Sequence, residues 1–451
     1  MNRFLTVSVV LAASVIAMCV APMAPAQPAL AGASPVTAAT GVPEPPPGAA
    51  VFELKYRGLS TPEDPLSYRS YWGFGTPDDG TGEKDPFVLA VKNQVKECAL
   101  VYNRALPKAQ WSVVELKDKK PIAFYFDLNA DGKLSDDEKF LPIRPSGSSF
   151  GYPFAFITSD FLIRTDDRRE IPFRVMLVGN DYGSELSYMW SPCCVLEGQA
   201  TLAGQPTRLV LLSNGFSGSF TEFGRCSIML LPAERKLEGY TSRSTLSSLI
   251  YHQGTFYHLK LQGTHTRDST IRVVVEKDTT PTGQVALDVA GKEGLKTRLT
   301  GVQLQGAKDT TIQLYLNAAQ PTLPVGQYKV SYGYVSYGLQ SNDEWRVNFE
   351  NGPPFDIKAA ETTPVSLGRP VLSIKAIDEK DRYVDGAKER STYAKGTSIY
   401  LSPQIKGKAG EVYMRFTQKS AGNSNPTDVK PHVTIRDPGG KTVAWADMEY
   451  G

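Results

Sequence analysis

Short runs of β-branched and aromatic residues, each bounded by Gly, Pro, Asp or Asn, recur along this chain. Such runs are typical of strands, and their boundaries are typical of tight turns. Helical periodicity is scarce, and its best candidates, residues 135–140 and 244–250, are only one or two turns long. The pattern predicts an all-β, multi-domain protein built from sandwich-like or barrel-like modules. The clearest runs are residues 122–126, 173–178, 208–212, 256–261, 271–276, 311–316, 328–335 and 433–436.

The first 31 residues have the layout of a secretory signal peptide. Arg3 supplies the positive start, residues 4–19 are apolar, and residues 24–26 and 29–31 offer small-residue cleavage sites. The apolar stretch is shorter than the roughly 20 residues that span a bilayer, so a cleaved signal is favoured over a permanent anchor. We therefore expect a secreted or extracytoplasmic protein with no integral membrane segment after cleavage.

Two further features of the amino-terminal region bear on whether the chain is anchored to a membrane and how its first domain is connected. Cys19 raises the alternative of a lipoprotein, but Met18 before it is not the small residue that lipidation favours. Residues 32–50 are rich in Ala and Pro, which predicts an extended tether rather than a helix.

Length and charge limit the organisation and the partners. A chain of 451 residues is long enough for several domains, and we place boundaries near residues 267 and 360. The predicted domains are therefore residues 51–267, 268–360 and 361–451. The formal net charge is only +2, so no overall attraction to nucleic acid or to anionic membranes is expected.

A short run in the second domain carries a family resemblance. Leu323, Pro324, Gly326, Tyr328 and Val330 form the pattern L-P-x-G-x-Y-x-V. This run resembles a strand motif of transthyretin-like and carboxypeptidase-regulatory-type β-sandwiches. The resemblance implies a turn at Pro and Gly, followed by a strand with Tyr and Val facing the core. We expect the last two domains to be Ig-like or related sandwiches, the last of them ending in a hairpin around residues 433–445.

Four cysteines follow the predicted signal peptide: Cys98, Cys193, Cys194 and Cys226. An oxidising compartment would allow disulfides, and four cysteines have three possible pairings. If Cys193 and Cys194 lie on one strand, their side chains point to opposite faces, which disfavours a bond between them. The pairing stays open, and four free buried thiols are the alternative.

One loop has the chemistry of a cation site. Residues 127–138 read Asp-Leu-Asn-Ala-Asp-Gly-Lys-Leu-Ser-Asp-Asp-Glu. Oxygen-bearing side chains at alternate positions, a Gly at the sixth and a Glu at the twelfth form a set of hard ligands suited to Ca²⁺. A turn rich in Asp and Asn that binds no metal is the alternative. The predicted metal ligands are Asp127, Asn129, Asp131, Lys133 through its backbone carbonyl, Ser135, and Glu138.

The loop resembles an EF-hand calcium loop, but its flanks do not. Residues 121–126 before it are a β run instead of a helix, and Pro142 and Pro145 limit any helix after it to about two turns. It therefore resembles a solitary strand–loop–helix calcium site of secreted bacterial modules. The resemblance implies a structural Ca²⁺ rather than a sensor, because sensor hands need helices that open.

A second segment repeats the loop at an offset of 86 residues. Residues 208–212 form a β run, and Ser213, Ser217, Gly218 and Phe220 take the places of Asp127, Asp131, Gly132 and Leu134. Every carboxylate ligand is missing from this copy. We interpret residues 110–145 and 196–231 as duplicated hairpin-plus-loop units, of which only the first can bind metal; coincidence is the alternative.

Two classes of function remain. The chain contains no Walker A, G-x-G-x-x-G or Cys-x-x-Cys motif, and His252, His258 and His265 lack the spacing of a metalloprotease. The favoured interpretation is a non-catalytic, calcium-stabilised scaffold or binding protein for a surface polysaccharide or another protein. The alternative is a secreted hydrolase of polysaccharide or peptide, with its site in residues 51–267. Among the tryptophans, some could form a sugar-stacking platform, although core packing explains most of them.

Overall fold

The computed structural model is an all-β protein. About 63% of the residues that the structure describes are in strands and about 5% are in helices, which confirms the predicted fold class. The described helices are α1 (Pro86–Lys92) and the 3-10 turns Gly82–Lys84, Asp136–Glu138 and Glu379–Asp381. The residues that the structure describes are 45–60, 73–74, 82–103, 106, 110–143, 154–164, 169–181, 186–213, 215–234, 243–267, 269–289, 297–307, 310–315, 320–337, 344–367, 370–381, 384, 392–394, 396–407, 409–419, 427–428, 430, 432–436 and 439–447.

The predicted signal peptide, residues 1–31, lies outside these described residues. Residues 32–44 of the predicted tether also lie outside them. In the part of the chain that is described, no helix has the length and apolar character needed to cross a membrane.

The chain divides into two compact units. The N-terminal unit comprises residues 42–279 and 308–312, and the C-terminal unit includes residues 280–307 and 313–451. The first junction therefore falls about a dozen residues beyond the boundary predicted near 267.

Antiparallel strands make up the N-terminal unit. They are β1 (Ala50–Gly58), β2 (Gly73–Phe74), β3 (Cys98–Asn103), β4 (Gln110–Lys117), β5 (Lys120–Phe126), β6 (Lys139–Phe140), β7 (Phe154–Ile157), β8 (Phe161–Arg164), β9 (Glu170–Phe173), β10 (Val175–Asp181), β11 (Leu186–Pro192), β12 (Cys194–Leu202), β13 (Gln205–Leu212), β14 (Ser227–Pro232), β15 (Ser244–Thr245), β16 (Leu249–His252), β17 (Thr255–Gln262) and β18 (Ile271–Lys277).

Four sheets arise from these strands. The largest has the order β15-β14-β13-β12-β1-β18-β17-β16, so β1 lies between two meanders that follow it by more than a hundred residues. The others are β2-β11-β10-β7, β3-β4-β5-β6 and β8-β9. One apolar core joins side chains from several of these sheets: Phe52 of β1, Phe126 of β5 and Trp190 of β11 are all fully buried within it.

The C-terminal part of the chain is also built from strands. They are β19 (Thr282–Val289), β20 (Thr297–Gly306), β21 (Thr311–Tyr315), β22 (Thr322–Pro324), β23 (Gly326–Tyr337), β24 (Glu344–Glu350), β25 (Pro354–Ile357), β26 (Thr362–Leu367), β27 (Val371–Asp378), β28 (Ile399–Lys406), β29 (Val412–Lys419), β30 (Thr427–Asp428), β31 (His432–Arg436) and β32 (Thr442–Asp447).

Strand pairing in this unit crosses residue 360, where a domain boundary was expected. Strand β19 pairs in parallel with β26, and β24 pairs with β29. The order β20-β23-β24-β29-β28-β27 therefore draws on both of the expected modules, 268–360 and 361–451. Their separation near 360 is not visible in the sheets, because hydrogen bonds between distant strands hold the two segments together.

The run that suggested a sandwich strand alternates as predicted. Tyr328 and Val330 of β23 are buried, and Gln327 and Lys329 between them are exposed. The predicted terminal hairpin is also present as β31 and β32. The four cysteines Cys98, Cys193, Cys194 and Cys226 are free thiols in the structure, and all except Cys98 are buried.

Candidate metal centre

The predicted calcium loop connects two neighbouring strands of one sheet. Strand β5 leads into residues 127–138, and β6 leaves them and pairs back onto β5 through Phe124 with Phe140 and Tyr125 with Lys139. The entering strand is therefore as predicted. The short exit helix is a single 3-10 turn, Asp136–Glu138, because Lys139 adopts an extended conformation to join the sheet.

Apolar contacts hold both sides of the loop. Phe126, which immediately precedes it, is fully buried with its ring centroid 5.7 Å from that of Trp190. Leu134 packs against a second apolar cluster, which includes Phe87 of α1 and Trp111 of β4. Leu134, at the eighth position, therefore anchors the loop to this cluster.

Asp127 organises the first half of the loop. Its carboxylate oxygens accept hydrogen bonds from the backbone N–H groups of Asp131 at 3.2 Å and Gly132 at 2.9 Å. The side chain is only 7% exposed. Burial raises the pKa of the Asp127 carboxyl; the N–H of Gly132 acts against that shift, and the negative charge of Glu138 adds to it.

Asn129 and Asp131 repeat one hydrogen-bonding pattern. The side-chain oxygen of Asn129 accepts from the N–H of Asp131 at 2.9 Å, and that of Asp131 accepts from the N–H of Lys133 at 2.8 Å. These Asx turns are local, because each spans only two residues. Gly132 has a φ of +75°, so the sharp bend expected at the sixth position is present.

Glu138 closes the loop. One of its carboxylate oxygens accepts from the N–H of Leu128 at 2.9 Å, and the other accepts from the N–H of Ser135 at 2.9 Å. The side chain is 1% exposed. Glu138 therefore holds the last turn of the loop against its second residue.

The remaining predicted ligands are exposed. The Ser135 hydroxyl donates to the carboxylate of Asp137 at 2.6 Å. The side chains of Asn129, Asp131 and Lys133 also lie at the surface of the loop. The structure thus buries the two carboxylates at the ends of the loop. The side chains of the predicted ligands between them are exposed to solvent.

The loop residues fit a hard cation by their chemistry. Asp127, Asp131 and Glu138 are carboxylates, and two of them are buried at the two ends of one short loop. Among the described residues, no three or more His, Cys, Asp or Glu side chains lie close enough together to form a metal cluster by themselves. The pattern adds donors of other kinds: the Asn129 amide, the Ser135 hydroxyl and a backbone carbonyl.

The structure also reveals a support that the sequence interpretation missed. A Cβ atom added at Gly132 would lie 3.3 Å from Cβ of Pro86, so the start of α1 packs against the loop. Asp85 caps that helix by accepting from the N–H groups of Phe87 and Val88. Asp followed by Pro is a recognisable helix start, so this signal was present in the sequence.

The second segment has the same order of elements as the first. Strands β12 and β13 form a hairpin with positive φ at Ala203 and Gly204, and a loop then leads to β14, which pairs with β13. In the first segment, β4 and β5 form a hairpin with positive φ at Asp118 and Lys119, and the predicted calcium loop leads to β6. This common order supports the interpretation of a duplicated unit.

Local geometry matches between the two loops as well. Gly132 and Gly218, 86 positions apart in sequence, both have a φ of +75°. Ser217 accepts from the N–H two residues later at 3.2 Å, as Asp131 does at 2.8 Å in the first loop. The hydroxyl thus preserves the turn without a charge.

The ends of the second loop differ from those of the first. Ser213 donates its hydroxyl to the carbonyl of Gly215 at 2.8 Å, and Phe220 is a buried anchor. At the twelfth position, where the first loop has Glu138, Gly224 has a φ of +77°. The second loop is therefore closed by apolar packing and backbone turns, without buried carboxylates.

The other sequence candidates do not form a second site in the described residues. His258 contacts Asp278 at 3.1 Å, and His265 is buried beside the rings of Tyr56 and Phe220. Trp72 lies outside the described residues. Trp111 and Trp190 belong to the core, whereas Trp445 is exposed.

Comparisons of the chain with protein-family models, curated proteins and solved structures give no match.

Proposed function

We propose that residues 127–138 bind Ca²⁺, and that the ion stabilises the N-terminal unit of an exported, non-catalytic scaffold or binding protein. The observation that carries this proposal is the burial of Asp127 and Glu138 at the two ends of one loop. Within the described residues, neither carboxylate forms an ion pair. Buried negative charges without a cationic partner are costly, so a bound cation would relieve them.

The ligand assignment follows the loop pattern. Asp127, Asn129 and Asp131 would supply side-chain oxygens, and Glu138 would supply carboxylate oxygens at the twelfth position. The other two are Lys133, through its backbone carbonyl, and Ser135, through its hydroxyl or a water. Six to eight oxygen ligands suit Ca²⁺ better than Mg²⁺, which requires a smaller octahedral site.

The expected contribution of the ion is modest. Isolated extracellular calcium sites bind with a Kd of about 10⁻⁴–10⁻³ M. At millimolar Ca²⁺ and a Kd of about 10⁻⁴ M, binding stabilises the folded state by roughly 1.4 kcal/mol. An ion of this kind holds a loop in place and performs no chemistry.

Export and the binding role have separate support. Residues 1–31 have the features of a signal peptide, and the strand-rich units suit a spacer or a platform for a surface polysaccharide or another protein. The alternative of a secreted hydrolase with its site in residues 51–267 stays a prediction.

Calorimetric titration with CaCl₂ tests the proposal on the full chain. We expect the wild type to release or absorb heat at one site and to gain thermal stability, and Asp127→Ala to do neither. Ser213→Ala, the equivalent change in the second loop, is the matched control and should bind Ca²⁺ like the wild type. The proposal fails if millimolar Ca²⁺ neither binds to the wild type nor stabilises it.

A further inference from the structure

The hairpin β31–β32 presents one polar and aromatic face to solvent. His432 lies opposite Asp447, and Thr434 lies opposite Trp445. Directly opposed residues of an antiparallel pair have their side chains on the same face, so these four residues share one face. Val433 alternates to the other face and is buried.

Trp445 is the centre of this face, and it is unusually exposed. Its side chain is 68% exposed, whereas Trp111 and Trp190 are buried in the N-terminal unit. An indole left in water forgoes the free energy of burying a large apolar surface. Tryptophan is enriched at binding interfaces, because its ring offers a large apolar surface beside a polar N–H group.

Neighbouring groups hold the indole in place. The ring of His432 lies 5.6 Å from the ring of Trp445 at an angle of 33°. Nδ1 of His432 is in turn 2.8 Å from a carboxylate oxygen of Asp447. This chain of contacts orients both rings before any ligand arrives, which lowers the entropic cost of binding.

The chemistry around the ring suits a neutral sugar. A pyranose has C–H groups on one face that stack on an aromatic ring, and hydroxyl groups at its edge that need hydrogen-bond partners. In the contacts of the described residues, Nε2 of His432, the second carboxylate oxygen of Asp447 and the hydroxyl of Thr434 make no hydrogen bond. These groups can serve the sugar hydroxyls beside the indole.

Charge distinguishes a sugar from a nucleic acid, whose bases also stack on aromatic rings. Single-stranded nucleic acid needs a basic groove for its phosphates. Here the group beside Trp445 is the carboxylate of Asp447, whose negative charge repels phosphate. The arrangement thus favours a neutral saccharide over a polynucleotide.

We infer that the face formed by His432, Thr434, Trp445 and Asp447 is a carbohydrate-binding platform, on which Trp445 stacks against a pyranose ring. The inference rests on the binding role proposed above and names its class of ligand. It does not depend on the calcium loop, which belongs to the other unit.

The test uses the full chain and three soluble probes: cellohexaose, chitohexaose and xylohexaose. Each is titrated into the wild type by calorimetry and followed by the NMR signal of the Trp445 indole N–H. We expect at least one probe to bind with a Kd below about 10 mM. Trp445→Ala should weaken that binding by about tenfold or more. Trp445→Phe, which keeps a smaller ring, should retain part of it.

The matched control is Leu372→Ala, which removes a half-exposed apolar side chain elsewhere in the C-terminal unit. It should bind the probe like the wild type. The inference is overturned if none of the three probes binds, or if binding is as strong in Trp445→Ala as in the wild type. Titrating the same proteins with CaCl₂ separates the two proposals, because Trp445→Ala should keep the calcium response.

Discussion

The carboxylate of Glu138 accepts a hydrogen bond from the backbone N–H of Leu128, ten residues earlier in the chain, at 2.9 Å. This contact closes the loop across its full length. Because Ser135 donates its N–H to the other carboxylate oxygen, both oxygens of Glu138 are engaged inside the loop. The residue predicted as the bidentate calcium ligand is thus also the residue that defines the shape of the loop.

Replacing Glu138 should separate these two roles. Glu138→Ala leaves two N–H groups without their acceptor, so we expect it to lower the free energy of unfolding by roughly 1–3 kcal/mol without calcium. Glu138→Gln retains an acceptor oxygen and removes the charge repulsion with Asp127, so its loss should be smaller. Both variants should lose stabilisation by CaCl₂. Urea unfolding with EDTA and with CaCl₂ measures both effects.

Asp136→Ala is the control for these variants, because Asp136 is exposed at the same turn. It should keep the calcium response. Full calcium stabilisation of Glu138→Gln would contradict the assignment of Glu138 as a ligand.

Gly132 should be sensitive to the addition of a side chain. Its φ of +75° disfavours any residue with a Cβ, and that Cβ would lie 3.3 Å from Pro86. We expect Gly132→Ala to cost roughly 1–2 kcal/mol of stability. Gly204→Ala is a matched control, because Gly204 has a φ of +78° but nothing within 4 Å of the added Cβ.

The two variants are compared by thermal unfolding and by hydrogen exchange of the loop amides. Gly132→Ala should lower stability more than Gly204→Ala and should also speed hydrogen exchange in residues 127–138. Equal costs at the two positions would mean that the contact with Pro86 contributes nothing.

Equivalent positions of the two loops should respond differently to calcium. Asp131→Ala and Ser217→Ala remove the same kind of turn hydrogen bond at an exposed site. Each should therefore lower stability by about 1 kcal/mol or less without calcium. Only Asp131→Ala should also reduce the rise in Tm that CaCl₂ causes, which differential scanning calorimetry measures. An equal reduction in Ser217→Ala would show that the second loop takes part in binding.

Acidification should destabilise the N-terminal unit through His265. Burial lowers the pKa of His265 below its ordinary value of 6.5, so the unfolded chain takes up the proton more readily than the folded chain. The contribution of neutral His265 to the free energy of unfolding is therefore fully present above a pH of about 6.5. It decreases as the pH drops toward the pKa of His265 in the folded chain. His265→Phe, which keeps a ring beside Tyr56 and Phe220, should show a weaker fall.

Unfolding free energies of the wild type and His265→Phe, measured between about pH 5 and pH 8, test this expectation. The difference between the two proteins should change with pH in that window. A constant difference would show that protonation of His265 does not contribute.

Local sequence patterns predicted most of the candidate site. The Asx turns of Asn129 and Asp131 and the positive φ of Gly132 involve residues no more than a few positions apart, so the residue types alone indicate them. The contact of Gly132 with Pro86 joins distant segments and was missed. The exit helix was expected to end within about two turns, and pairing of Lys139 with Tyr125 ends it after one 3-10 turn.

The sequence by itself determined the strand-rich fold class and the twelve-residue loop with its alternating oxygen donors. Both follow from short-range backbone preferences and side-chain spacing. Only the tertiary structure decided which strands pair, as where Arg57 and Glu197, 140 residues apart, form an ion pair at 2.7 Å between β1 and β12. Likewise, only packing buried Asp127 and Glu138 and left Trp445 in solvent. Burial depends on every segment that surrounds a residue, and no local pattern contains that information.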